Sequence, residues 1–255
     1  MLQYLADKSE FALLVLIALF FISTALVICW LCRHPAVRRV LEPYEGVLPT
    51  FLGVPAGMFA LTAAFMGNSL WENYTGASNA IRLEAQGLTA YIEIAESVAE
   101  FKTLQLPQIA RDYTRSVVED EWGGKAEKQA TPKTEKLFKD MQLATFRAAE
   151  RKRNTAETAA LLSAYRTIQE GRRGRLGYVM FLVDPVRWFG VMLLALLVQL
   201  SIGAVHFAKP KALILAMPLG TATILTVLCT IALTLSTPYI GWYAVSHEIY
   251  LPLLQ

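Results

Sequence analysis

Apolar positions in this chain gather into four long blocks around one extended polar stretch. Phe11 to Cys32 carries no charge and closes on Arg33. A helix of that length crosses roughly 30 Å of hydrocarbon. A second block runs from Val47 to Leu70, with Pro49 and Pro55 in its first half. The third opens at Asp184 and Pro185, an N-cap and a residue suited to the first helical position, and continues to His206. Trp188 is placed there for the membrane boundary. The fourth covers Ala212 to Leu235 and stops at Ser236-Thr237-Pro238; Tyr239, Trp242 and Tyr243 then read as an aromatic belt. Four spans put both ends of the chain and the polar stretch on one side of the bilayer.

The polar stretch, residues 71 to 178, has helical spacing and no sustained alternation of period two. Ile81, Leu88, Tyr91, Ile92, Ala95 and Val98 share a face, with Glu93, Glu96 and Glu100 opposite. No proline or glycine pair separates Leu70 from Ala85, so this helix prolongs the second span; Gly76 and Gly87 weaken it without ending it. Pro107 marks a break before a short helix carrying Ile109, Tyr113, Val117 and Trp122, stopped by Gly123 and Gly124. Thr131 and Pro132 start another, whose stripe of Leu137, Met141, Ala144 and Ala148 is continued past Arg153 and Asn154 by Leu161, Leu162, Tyr165 and Ile168. The predicted fold is all-α. Transmembrane helices at 1–70 and 179–255 flank a helical extramembrane bundle at 71–178.

Composition supports this class: 55% of the 255 residues are apolar and only 18% charged. A signal peptide is the competing reading of the first block, but the run is too long, lacks an Ala-x-Ala site and ends on Arg33. The polar stretch balances 17 Lys and Arg against 15 Asp and Glu, which describes a solvated bundle. A net charge of +3 gives no reason to expect nucleic acid. Positive charge does not orient the chain either. Arg33, Arg38, Arg39, Lys209 and Lys211 on one side face Lys8, Arg82, Arg172, Arg173, Arg175 and Arg187 on the other.

The second span divides into faces on a helical wheel. Gly53, Gly57, Ala60, Ala64 and Gly67 recur every three or four residues, the spacing that lets helices approach closely in lipid. Met58, Leu61, Thr62, Phe65, Asn68, Ser69 and Glu72 occupy a second face, apolar within the bilayer and polar at its end. Leu52, Phe59, Ala63, Met66 and Leu70 form a third, suited to lipid or to the other spans. An amide in lipid needs protein or water, so Asn68 should meet one of them. In a ring of such helices the second face would make an apolar constriction with a polar, acidic mouth. The small residues would serve equally to pack helices inside a single chain, and both readings stay open here.

Little else carries chemistry. Cys29 and Cys32 form a C-x-x-C at the end of a membrane helix, and Cys229 lies inside the fourth span; all read as small apolar residues. His34 and His206 share a predicted face, and His247 stands near another membrane end. They read as interfacial polar residues, since no carboxylate or cysteine sits at ligand spacing. No nucleotide-binding glycine loop, zinc spacing or nucleophile elbow occurs, so no cofactor, metal or enzymatic activity is expected.

Phe65, Trp71-Glu72, Tyr74, Ala77 and Glu84-Ala85 resemble the opening signature of the bestrophin-like domain family of bacterial membrane proteins, with Asn73 where that family has arginine. Tyr113, Glu121-Trp122, Arg172, Arg173, Arg175 and Leu176 are similar to later motifs of the family. The stretch from Leu235 to Gly241 resembles its terminal motif, with Ser236 in place of aspartate and Tyr239 in place of phenylalanine. The likeness covers residues 50 to 245. It implies a distant relation to bestrophins, pentameric ion channels whose second membrane helix lines an apolar neck. For this chain it implies a symmetric homo-oligomer in a bacterial inner membrane, passing small inorganic ions, with residues 71–178 in the cytosol. Asn73 and Gly76 depart from the bestrophin run after the neck and remove two charged positions. The alternative expectation is a membrane-anchored scaffold or accessory protein whose helical domain binds a partner.

Overall fold

The computed structural model describes residues 10–45, 48–122, 130–152, 155–179, 185–233, 239 and 245–254. Among them the chain is helical, with no strand. The α-helices are α1 (Glu10–Arg33), α2 (Pro35–Leu41), α3 (Leu48–Ser97), α4 (Ala99–Thr103), α5 (Leu106–Ser116), α6 (Pro132–Arg151), α7 (Ala156–Val179), α8 (Pro185–His206) and α9 (Pro210–Leu233). A π-helical turn, Val117–Glu121, follows α5, and a 3-10 helix covers Glu248–Leu254. The chain forms two compact units, residues 1–71 with 182–236 and residues 72–181 with 237–255.

In the first unit each helix turns one face inward. Leu13, Ile17, Phe21, Ala25 and Ile28 of α1 meet Val191, Ala195, Val198 and Ile202 of α8 and Met217, Ile224 and Leu228 of α9. From α3 come Phe59, Ala63, Met66 and Leu70, the face that suited lipid or other spans. The outward faces are equally apolar: Phe11, Leu19 and Leu26 on α1, Phe189 and Leu193 on α8, Leu215 and Leu219 on α9. Helices that are apolar all round belong in hydrocarbon. Phe11–Arg33, Pro185–His206 and Pro210–Leu233 are long and apolar enough to cross a bilayer, and this is a membrane protein. Among the described residues these are the three that qualify, and the charge-free first half of α3, which carries Pro55, is not one of them.

One buried amide ties three of these helices together. Gln199 Nε2 donates to the Phe21 carbonyl at 2.9 Å and to Thr221 Oγ1 at 3.0 Å, while Oε1 accepts from Thr24 Oγ1 at 2.7 Å. Away from water an amide must be satisfied by protein, and this one is. Trp188 packs into the same core and is buried.

In the second unit the 72–97 half of α3 packs closely on α7. A methyl group on Gly171 would strike the backbone of Glu84, and one on Gly87 would meet Ile168 N at 2.7 Å. These glycines are the condition of the crossing, which explains why α3 carries residues that weaken a helix. Around them Ile81, Leu88, Tyr91, Tyr113, Met141, Leu161 and Ile168 form the core.

Two expectations are corrected. The stripe predicted to run past Arg153 is split: α6 ends at Arg151 and α7 begins at Ala156. Thr155 ends the run locally, its hydroxyl accepting from Thr158 N at 3.2 Å while Thr158 Oγ1 donates to the Lys152 carbonyl at 2.7 Å. Tyr239 is not a belt residue. It is buried in the second unit, donating from its phenol to the Arg175 carbonyl at 2.8 Å. Asp184, Trp242 and Tyr243 lie outside the described residues.

Candidate functional site: an outward face and a buried charge cluster

The faces predicted for the second span are separated in the structure. Phe59, Ala63, Met66 and Leu70 point into the first unit. Met58, Leu61 and Phe65 point out, 54%, 58% and 69% exposed. Asn68 and Glu72 are exposed beyond them, and Thr62 and Ser69 are half-buried at the edge of the stripe. Among the described residues, the small residues of this flank make no close helix contact. A Cβ at Gly53, Gly57 or Gly67 would meet no atom within 4 Å, and Ala60 and Ala64 are exposed. Ala60, Ala64 and Gly67 border an open groove of about 640 Å³ whose far wall is Gly220, Thr223 and Thr226 of α9. The threonine hydroxyls there bond back to their own helix, to the Leu219 and Ala222 carbonyls at 3.0 and 2.9 Å, so the groove presents methyl groups.

His34, one of the histidines singled out in the sequence, caps α2 by accepting from Ala36 N at 3.3 Å on Nδ1. His206 Nδ1 lies 2.9 Å from the Ile202 carbonyl, and Cys32 Sγ donates to the Gly203 carbonyl at 3.4 Å.

The second unit holds a charge cluster that the sequence did not single out as a site. Glu84 is fully buried on the apolar face of α3. It accepts from Arg175 Nε at 2.6 Å and Nη2 at 3.3 Å, from the Tyr250 phenol at 2.9 Å, and from the Tyr113 phenol. Arg175 Nη1 lies 2.9 Å from Glu121 Oε2, a charge contact without hydrogen-bond alignment. Glu121 Oε1 accepts from Thr131 N at 3.1 Å. Arg172 donates to the Tyr113 hydroxyl at 3.1 Å and to Glu135 Oε2 at 2.8 Å, with its guanidinium 4.7 Å from the centre of the Phe138 ring. Two buried carboxylates thus face two buried guanidiniums, with Glu135 at the half-exposed edge.

Burial is the largest influence on Glu84 and would raise its pKa. The Arg175 charge and the hydrogen bonds from Arg175, Tyr113 and Tyr250 outweigh it and hold the carboxyl below its ordinary value of 4.5. For Tyr113 and Tyr250, burial and then the Glu84 charge both act upward, so each phenol keeps its proton and donates. Burial opposes the Arg175 charge, but Glu84 more than reverses this.

The model of the Bestrophin-like domain matches residues 19–250, nearly the whole chain. The chain belongs to the Bestrophin-like domain family. No curated protein and no solved structure matches it. In this Bestrophin-like chain, Glu84, Tyr113, Glu121, Arg172, Arg175 and Tyr239, quoted separately for the likeness, come together in one cluster. Tyr250 and Glu135 were missed. Glu84 had a legible signal, a charge on an otherwise apolar helical face. Glu121 had none, because the π-helical turn that aims it inward leaves no mark in the periodicity.

Replacing Arg175 with Met leaves two carboxylates short of their partner and should destabilise the second unit by about 3–5 kcal/mol. Arg175→Lys should recover little of it, since lysine cannot engage Glu84 through two nitrogens and Glu121 through a third. Urea midpoints of the purified variants check both. Stability should also fall in acid. The Glu84 contribution is complete above 4.5, its value in the unfolded chain, and is lost as the pH drops through the lower folded value. Urea midpoints measured between about pH 3 and 7 should be flat at the upper end and decline below that point.

Proposed function

We propose that the protein assembles as a symmetric homo-oligomer and conducts small inorganic ions along an axis lined by the first half of α3. That half of α3 acts as a fourth span, and residues 71–178 lie in the cytosol of a cell with this protein in its inner membrane. A pentamer is the count that the bestrophin likeness favours. No catalytic step belongs to this reading.

The outward position of Met58, Leu61 and Phe65 carries it. That half of α3 is uncovered on one side in the single chain, and Asn68 and Glu72 continue its open face. Neighbouring copies would cover the Gly53–Gly67 flank, where a second backbone has room. Phe65, Leu61 and Met58 would then form a constriction that opens and closes by wetting, with Asn68 and Glu72 at its mouth. A scaffold or accessory role remains the second reading. It is favoured by Leu143 and Phe146, exposed apolar residues nearly one turn apart on α6 that would suit a protein partner.

Purified protein in planar bilayers should conduct, and Phe65→Ala or Asn68→Ala should change the conductance several-fold. Silence across ions and voltages, with a co-purifying protein lost on Leu143→Glu, would favour the scaffold. A Cβ at Gly57 meets no atom within 4 Å among the described residues, so with Gly57→Leu the monomer should fold while the oligomer falls apart on native mass spectrometry. An intact oligomer would show that this flank is not the contact between copies.

A further inference from the structure

Residues 245–254 are attached to the second unit unevenly. Tyr250 is fully buried and Val245 nearly so, while Ser246, Glu248, Ile249, Leu251 and Pro252 are exposed. The hydrogen bonds of its backbone turn inward: Tyr250 N donates to the His247 carbonyl at 3.0 Å and Glu248 N to Ser246 Oγ at 3.2 Å. Among the described residues, no backbone hydrogen bond joins the segment to the rest of the unit. Its hold is made by side chains. The Tyr250 phenol reaches Glu84, and the Tyr250 and His247 rings each lie 5.8 Å from Trp122.

What the segment touches is complete without it. Glu84 keeps both nitrogens of Arg175 and the Tyr113 phenol if Tyr250 leaves. Trp122 keeps Tyr239, 5.5 Å away. Departure therefore exposes the Tyr250 seat and the smaller contacts of Val245 and Leu253, and strands no charge. That contrasts with Arg175, whose loss would strand two carboxylates. Parts of a fold open separately when few buried contacts and no unpaired charge tie them to the remainder.

We infer that residues 245–254 form a releasable strap, which lifts Tyr250 out of its seat beside Glu84 and Trp122 while the second unit stays folded. The inference does not depend on ion conduction. Its ligand chemistry is defined: the seat takes a phenol that donates to a buried carboxylate and packs edge-on against an indole.

Amide hydrogen exchange on the full-length protein in detergent, read by mass spectrometry, tests it. The amides of residues 248–254 should exchange at least ~10-fold faster than those of the cores of α5 and α7, yet more slowly than in a free peptide of the same sequence. Tyr250→Phe keeps the ring and removes the donor. It should speed exchange in the segment by roughly 10- to 100-fold, as expected for losing a hydrogen bond to a charged group, and leave the core amides unchanged. A common rate for segment and core would overturn the inference, as would Tyr250→Phe accelerating both alike. Exchange at the free-peptide rate in the unmodified protein would overturn it too, because the strap would then have no seat.

Discussion

The pairing of Glu84 with Arg175 sets the terms for the whole second unit. Either charge alone, out of water, would cost several kcal/mol; the pair is tolerated because Arg175 engages Glu84 through two nitrogens and the Tyr113 and Tyr250 phenols also donate to that carboxylate. Glu84 draws donors from α5, α7 and the 245–254 segment, and Arg175 reaches on to Glu121 in the π-helical turn. α3, α7 and the π-helical turn cannot shift independently without leaving a charge short. The cluster fixes charged contacts between α3 and α7 that hold in the observed register. Gly87 and Gly171 admit the same one, for steric reasons.

The same helix meets opposite constraints in its two halves. Between residues 72 and 97, glycines leave room for α7: the Ile168 backbone presses on Gly87 and the Tyr178 ring on Gly76. Between residues 48 and 71 they face open space, and the large apolar residues beside them are uncovered. A helix spaced for close packing but packed on one side only has room for a neighbour, and we propose that a second copy fills it. That is the physical basis for reading this half as an assembly surface.

Helices and their membrane character were legible because lipid imposes a coarse, length-based rule that survives local exceptions. Thr131, Pro132 and Pro185 marked helix starts correctly, since caps act through backbone groups within one turn. One failure was tertiary and one local. Tyr239 looked like a belt residue because an aromatic after a span usually is one; nothing nearby revealed that Arg175, 64 positions earlier, would offer its carbonyl. Thr155 carried the signal for the break after α6 and was overridden by an apolar stripe of the right period. The charge cluster was present as scattered motif matches, and only the fold could show that they are one object.

The three-way bonding of Gln199 bears on how the protein is made. Chain order delivers α1 first, α8 later and α9 last. When α8 enters the bilayer, the Phe21 carbonyl and Thr24 are already there, so its amide has two of its partners on arrival; Thr221 completes the set only when α9 follows. Biogenesis thus has a built-in sequence of docking events, α8 onto α1 and then α9 onto both.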